Sequence, residues 1–229
     1  MTALVLQPYS SSAFNTLPSL RDADAEFKGR NAGAIMNSNI ASIFAKHNVN
    51  DFLGIQLLHR HFSLNSDERL VDVGGASVPW SNGGSEALDS CILPVSWAFE
   101  GNTYHPYEFK FVPPTQELHK PVLPEPFVIE LNETLKAHNL QGVLGIRVLK
   151  TGQGKKPEME ITKGRSNITF DVDYDSDATE DANVIQASWA FGGTSVAETR
   201  YCTSYCRGSD YDNHNNFHDV SARSVIGFH

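Results

Sequence analysis

The tripeptide His59-Arg60-His61 combines residue types and spacing that could do chemistry. In an extended strand, alternate side chains point to one side, so the two imidazoles share a face and Arg60 takes the other. Their Cα atoms then lie about 7 Å apart. Such a pair can ligate one divalent metal, Zn or Fe, or serve as general acid and base. A catalytic metal needs a third protein ligand, and Glu68, His105 and Glu108 are the candidates. Glu108 belongs to Tyr104-His105-Pro106-Tyr107-Glu108-Phe109 and is the expected catalytic partner of His59 and His61. Tyr104 and Lys150 are the expected substrate-binding residues.

A second constellation is Cys202-x3-Cys206-x7-His214-x3-His218. Two thiols and two imidazoles can make a tetrahedral structural zinc site, although the intervening loop is shorter than in a zinc finger. Other motifs fail on inspection. Gly152-Gln153-Gly154-Lys155-Lys156 lacks the first glycine and the Ser or Thr of a phosphate-binding loop and reads as a turn. Asp171, Asp173, Asp175 and Asp177 alternate like a calcium loop, but Ala178 and Val184 occupy positions that need glycine and glutamate. The run Gly54, His59, His61, Glu68, Gly74 resembles the first cupin motif in residue order. It departs from that motif in every spacing, and the second motif with its histidine ligand is missing.

The elements that position these residues follow from an apparent internal repeat. His47-Asn48 precedes a Leu53-Gly54-Ile55 strand, and His138-Asn139 precedes Leu144-Gly145-Ile146. Ser96-Trp97-Ala98-Phe99 recurs as Ser188-Trp189-Ala190-Phe191 at nearly the same offset. His59 and His61 have no counterparts in the second copy, where Lys150 takes the place of His59. That asymmetry favours function for the pair, and structure for features present twice, such as His47, His138, Trp97 and Trp189.

Ile40, Ile43 and Phe44 mark a helix from Asn37, and Val128, Leu131 and Leu135 mark a second. Asn48 and Asn139 suit left-handed positions that end these helices. Strands are expected at 52–64, 69–73, 92–100, 107–112, 143–150, 158–162, 168–174 and 184–191, with residues 74–85 a loop and the first thirty an irregular lead-in. The expected fold class is therefore α+β: one pseudo-twofold domain spanning 1–229, with a helix and about four mostly antiparallel strands, twice. The halves run about 35–112 and 127–206, joined by a Pro-rich connection at 113–126 and followed by a polar tail at 207–229.

The chain has 229 residues, a formal charge of −9, 40% hydrophobic and 20% charged residues. That length supports a sizeable core. The negative charge argues against nucleic acid or an anionic membrane as partner. No apolar run reaches the length of a membrane span. Three cysteines and an N-terminus without signal-peptide character fit a reduced, cytoplasmic protein. The functional expectation is a small-molecule enzyme working through the histidine pair on a largely apolar substrate, by lyase, isomerase, cyclase or hydrolytic chemistry. The alternatives are a non-catalytic small-molecule-binding or interaction module and a structural zinc protein.

Overall fold

Short alternating segments bounded by glycine turns form eleven strands in the computed structural model, which describes residues 3–83, 86–117, 120–150, 156–172, 183–192 and 200–207. They are β1 (Val5–Leu6), β2 (Leu53–Leu57), β3 (Glu68–Val73), β4 (Ala76–Ser81), β5 (Ile92–Glu100), β6 (Thr103–Phe111), β7 (Leu144–Val148), β8 (Glu158–Lys163), β9 (Ser166–Asp171), β10 (Val184–Ala190) and β11 (Tyr201–Arg207). Neighbours run β6-β3-β4-β9-β8-β11-β10-β2-β7-β5, and β5 pairs back onto β6. Ten strands thus close into a barrel. β3 with β6 and β8 with β11 are parallel, and the other pairs in the ring are antiparallel. β1 adds in parallel beside the start of β6.

This closed, mostly β, mixed barrel overturns the expected α+β domain of a helix and four strands taken twice. Two strands missing from that expectation make the difference. Residues 74–85, expected as a loop, contain β4, reached through a two-residue turn at Gly74 and Gly75 with φ of 65° and 93°. Asp72 Oδ1 accepts the Gly75 amide at 2.8 Å and steadies that turn. The segment running into the expected polar tail contains β11, which fills the ring between β8 and β10. With both in place no edge of the ring remains unpaired.

The helices are short and lie outside the barrel wall. The lead-in expected as irregular holds α1 (Ser11–Asn15) and α2 (Leu20–Gly29), each capped by a serine hydroxyl, Ser10 and Ser19. α3 (Ala32–Ile35), a π-helical turn (Met36–Ile40) and α4 (Ala41–Lys46) form one run. α5 (Glu86–Asp89) is a single turn, and α6 (Glu125–Ala137) is the longest. Asn48 and Asn139 take the expected left-handed backbone, φ 53° and 55°, where α4 and α6 end. Ile40, Phe44, Phe127 and Leu131 pack with Ile55 and Ile146 in the main core. That core covers the outer face of β2 and β7, which leaves the inner face free for polar residues. No helix among the described residues is long and apolar enough to cross a membrane.

Two close approaches fix the wall. A Cβ added at Gly54 would lie 2.5 Å from the Trp189 carbonyl oxygen and 2.8 Å from Leu149 Cδ2. At Gly145 it would lie 2.5 Å from the Trp97 carbonyl oxygen and 2.8 Å from Leu58 Cδ2. The nearer atom is ladder backbone in each case and cannot turn aside. Gly54→Ala and Gly145→Ala should each destabilise the fold by more than about 2 kcal/mol, read as a fall in the urea midpoint. Gly29→Ala meets nothing within 4 Å and should be neutral or mildly stabilising in the same assay.

Candidate metal centre

β2 ends at Leu57, short of the expected strand, so His59 and His61 lie in the loop that follows. Arg60 sets that loop's course. Its amide donates to the Pro18 carbonyl at 2.9 Å, its Nε to the Leu17 carbonyl at 2.9 Å, and it bridges in parallel to Ser19. Holding Arg60 outward turns both imidazoles inward. Their ring centroids are 4.7 Å apart at 81°, and the two Nε2 atoms are 3.0 Å apart.

Two more donors converge on the pair. Glu160 reaches it from β8, with Oε1 2.6 Å from His61 Nε2. Cys206 reaches it from β11, opposite Glu160 in the parallel pairing, with Sγ 3.6 Å from the same Oε1. One ligand atom from each of these four residues lies within 4.8 Å of the others, so the group could hold a metal ion. Zinc bonds of about 2.0–2.3 Å imply tetrahedral donor separations of roughly 3.3–3.6 Å. The Cys206–Glu160 gap already has that size, and the 3.0 Å and 2.6 Å gaps would have to open toward it.

Proton placement points the same way. His59 Nδ1 lies 2.8 Å from the Leu57 carbonyl. A carbonyl only accepts, so Nδ1 carries the hydrogen and Nε2 presents a lone pair to the cluster. Burial, then the neighbouring His61, lower the His59 pKa from 6.5 to about 4, against the opposing pull of Glu160 and the Leu57 carbonyl. Burial disfavours an ionised Glu160. The His61 hydrogen bond and the charges of His61, His59 and Arg147 outweigh it and hold the carboxyl at about 2. Burial and the nearby Glu160 and Glu108 carboxylates push the Cys206 thiol well above its ordinary value. One His61 Nε2–H therefore faces two acceptors, His59 Nε2 and Glu160 Oε1. A cation at that point would satisfy both at once.

Glu160 also faces the barrel lumen. A cavity of about 50 Å³ there is lined from every strand of the ring except β10. Its ionisable lining comprises Asp72, Glu108, Glu158, Glu160, Arg147 and Lys150. The volume has room for roughly three or four waters. Glu108 is fixed in this lining, accepting from Gln56 Nε2 at 3.1 Å and Ser96 Oγ at 2.9 Å. Burial, then Glu160, raise its pKa, and Arg147, Gln56 and Ser96 offset this only in part.

Of the other expected site residues, Lys150 lines the lumen at a distance from the histidines and the rest fall elsewhere. β2 and β7 run antiparallel, so Lys150 leaves the opposite end of the pair from His59 and is bound to Glu158. Arg147 is a cation whose charge acts on Glu160 and Cys206. Tyr104 stacks on Phe99 and packs against the main core. Glu68 is held by Arg165 and the Asn65 amide, and His105 lines an outer cleft. Cys202 Sγ donates to the Ser204 carbonyl at 3.2 Å and is not in the cluster, while His214 and His218 lie outside the described residues. Sequence reasoning did not single out Glu160, and it grouped Cys206 with Cys202, His214 and His218, the last two of which lie outside the described residues. The signal for Glu160 was Glu158-Met159-Glu160, two carboxylates on one face of an expected strand.

No family model matches the chain, and neither does any curated protein or solved structure.

A pH dependence follows from His59. The unfolded residue takes up a proton below pH 6.5, whereas the folded one resists until about 4. Stability of the metal-free protein should therefore fall as pH drops from 6.5 to 4, by up to about 3 kcal/mol from this residue. His59→Asn should flatten that part of the curve, measured by urea unfolding in chelator. Parallel curves for the two proteins would contradict the assignment.

Proposed function

We propose that the protein is a metal-binding barrel whose centre at His59, His61, Glu160 and Cys206 holds Zn2+. The reading rests on one observation: four donors of the types zinc prefers, brought from three separate elements, converge to within 4.8 Å. Imidazole and thiolate together favour zinc over magnesium or calcium, which take oxygen ligands. Fe2+ is the closest competitor, through the two histidines and one carboxylate. Binding displaces the Cys206 thiol proton, so affinity rises with pH. With all four donors engaged the tetrahedron is complete, and the ion ties the 58–67 loop to β8 and β11.

A second reading is catalytic, and the Cys206 environment favours it. A thiol kept protonated by burial and two carboxylates would leave two histidines and Glu160 on the metal, with a fourth position for water. Glu108 would then face that water across the lumen as general acid or base. The lumen's size and charged lining suit a small polar molecule and hydrolytic or lyase chemistry, in place of the largely apolar substrate expected from sequence.

Elemental analysis of untagged protein after zinc loading should give one ion per chain. His61→Ala should abolish binding at micromolar zinc, and Glu160→Gln should weaken it about 10- to 100-fold, followed by competition with a chromophoric chelator. Cys202→Ala should bind as the parent does. Equal binding by parent and His61→Ala would remove the proposal.

A further inference from the structure

The loop that carries both histidines also carries the latch of the N-terminal arm, residues 9–19. Besides the two Arg60 bonds to the Leu17 and Pro18 carbonyls, Asn15 clasps Leu64 from both sides. Asn15 Nδ2 donates to the Leu64 carbonyl at 2.8 Å, and Asn15 Oδ1 accepts the Leu64 amide at 2.9 Å. Ser11 Oγ donates to the Ser66 carbonyl at 3.1 Å, and Tyr9 Oη to the Glu68 carbonyl at 2.8 Å. Phe14 and Leu17 from the arm pack with Leu58, Phe62 and Leu64 from the loop in a core cluster of their own. The arm in turn walls an outer cleft of about 460 Å³, through Ser12, Thr16 and Leu17. Leu58, which directly precedes His59, lines it too, and Glu100 and His105 face it from β5 and β6 respectively. That volume is in the range of small-molecule sites.

We infer that metal occupancy inside the barrel sets the position of the N-terminal arm outside it, and with it the shape of the cleft. The argument is one of shared constraint, and it rests on the metal reading above. The ion would fix positions 59 and 61 against β8 and β11. Position 60, between them, holds the arm at Leu17 and Pro18, so the arm's docking contacts become fixed by the same event. Without the ion the loop keeps its tether from Arg165 to the Ser63 carbonyl, and its first residues keep the Leu58 amide on the Val143 carbonyl, the His59–Leu57 bond and the His61–Glu160 contact, none of which ties position 59 or 61 to β11. Arm docking and metal binding therefore share a coupling free energy, and each strengthens the other by the same factor.

The test measures zinc affinity and amide exchange on the same full-length protein. The reporters are the amides of Phe14, Thr16 and Leu17, which are bonded within α1 and its cap. Zinc should slow their exchange roughly tenfold. Arg60→Ala, which supplies no metal donor, should weaken zinc binding by a similar factor and remove the zinc effect on the arm. Asn15→Ala should do the same from the arm side, should Arg60→Ala fail to fold. Stoichiometric zinc binding with exchange unchanged would overturn the coupling and leave the metal centre standing. Absence of zinc binding would overturn both.

Discussion

Charge sealed inside a closed sheet has to be balanced there, and this constraint organises the molecule. The helices supply their apolar faces to the outside of the wall, where Phe44, Phe127 and Leu131 meet Ile55 and Ile146. Ten strands enclose slightly more space than the eight whose side chains just fill a barrel. The inner face is left with four carboxyls and two fixed cations along the cavity. Lys150 answers Glu158 at one end. Arg147 donates to the hydroxyls of Ser188 and Ser204 and supports Glu160 from within the lumen. Glu108 is pushed toward its neutral form. At the other end Glu160 stays ionised beside two imidazoles and a thiol, and a divalent cation is the group that would complete the balance.

The centre draws its donors from positions 59, 61, 160 and 206, so its geometry depends on closure of the ring. The parallel pairing of β8 with β11 puts Cys206 level with Glu160. The antiparallel pairing of β10 with β2, Ser188 opposite Gln56, brings the end of β2 toward that edge. Gly54 and Gly145 allow the neighbouring backbones to approach closely enough for these registers to form. A metal bridging such distant positions would restrict the unfolded chain as a long-range cross-link does.

Much of the wall was legible in the sequence. The two Ser-Trp-Ala-Phe segments became β5 and β10, the two Leu-Gly-Ile segments β2 and β7, and Asn48 and Asn139 took the backbone their helix-ending positions require. β4 was hidden because Gly74, Gly75 and Pro79 dilute its pattern, and β11 because Cys202 and Cys206 drew attention to metal spacing. Closure itself is non-local. Nothing near β6 in sequence announces that it pairs with β3 and β5 together. The histidines converge as strand parity suggested, but for another reason: the backbone there is a loop, turned by the Arg60 bonds to Leu17 and Pro18. Glu160 could not be assigned from spacing alone, because only the barrel brings β8 beside the loop after β2.

The identity of the donor set can be read directly from cobalt-substituted protein. Co2+ held by two imidazoles, a carboxylate and a thiolate in a tetrahedral site should give intense visible ligand-field bands and a near-ultraviolet thiolate-to-cobalt transition. Cys206→Ser should lose that transition and keep the weaker bands, while Cys202→Ser and Cys91→Ser should leave the spectrum unchanged. A faint octahedral spectrum indifferent to Cys206, or a thiolate band that disappears only with Cys202, would contradict the account.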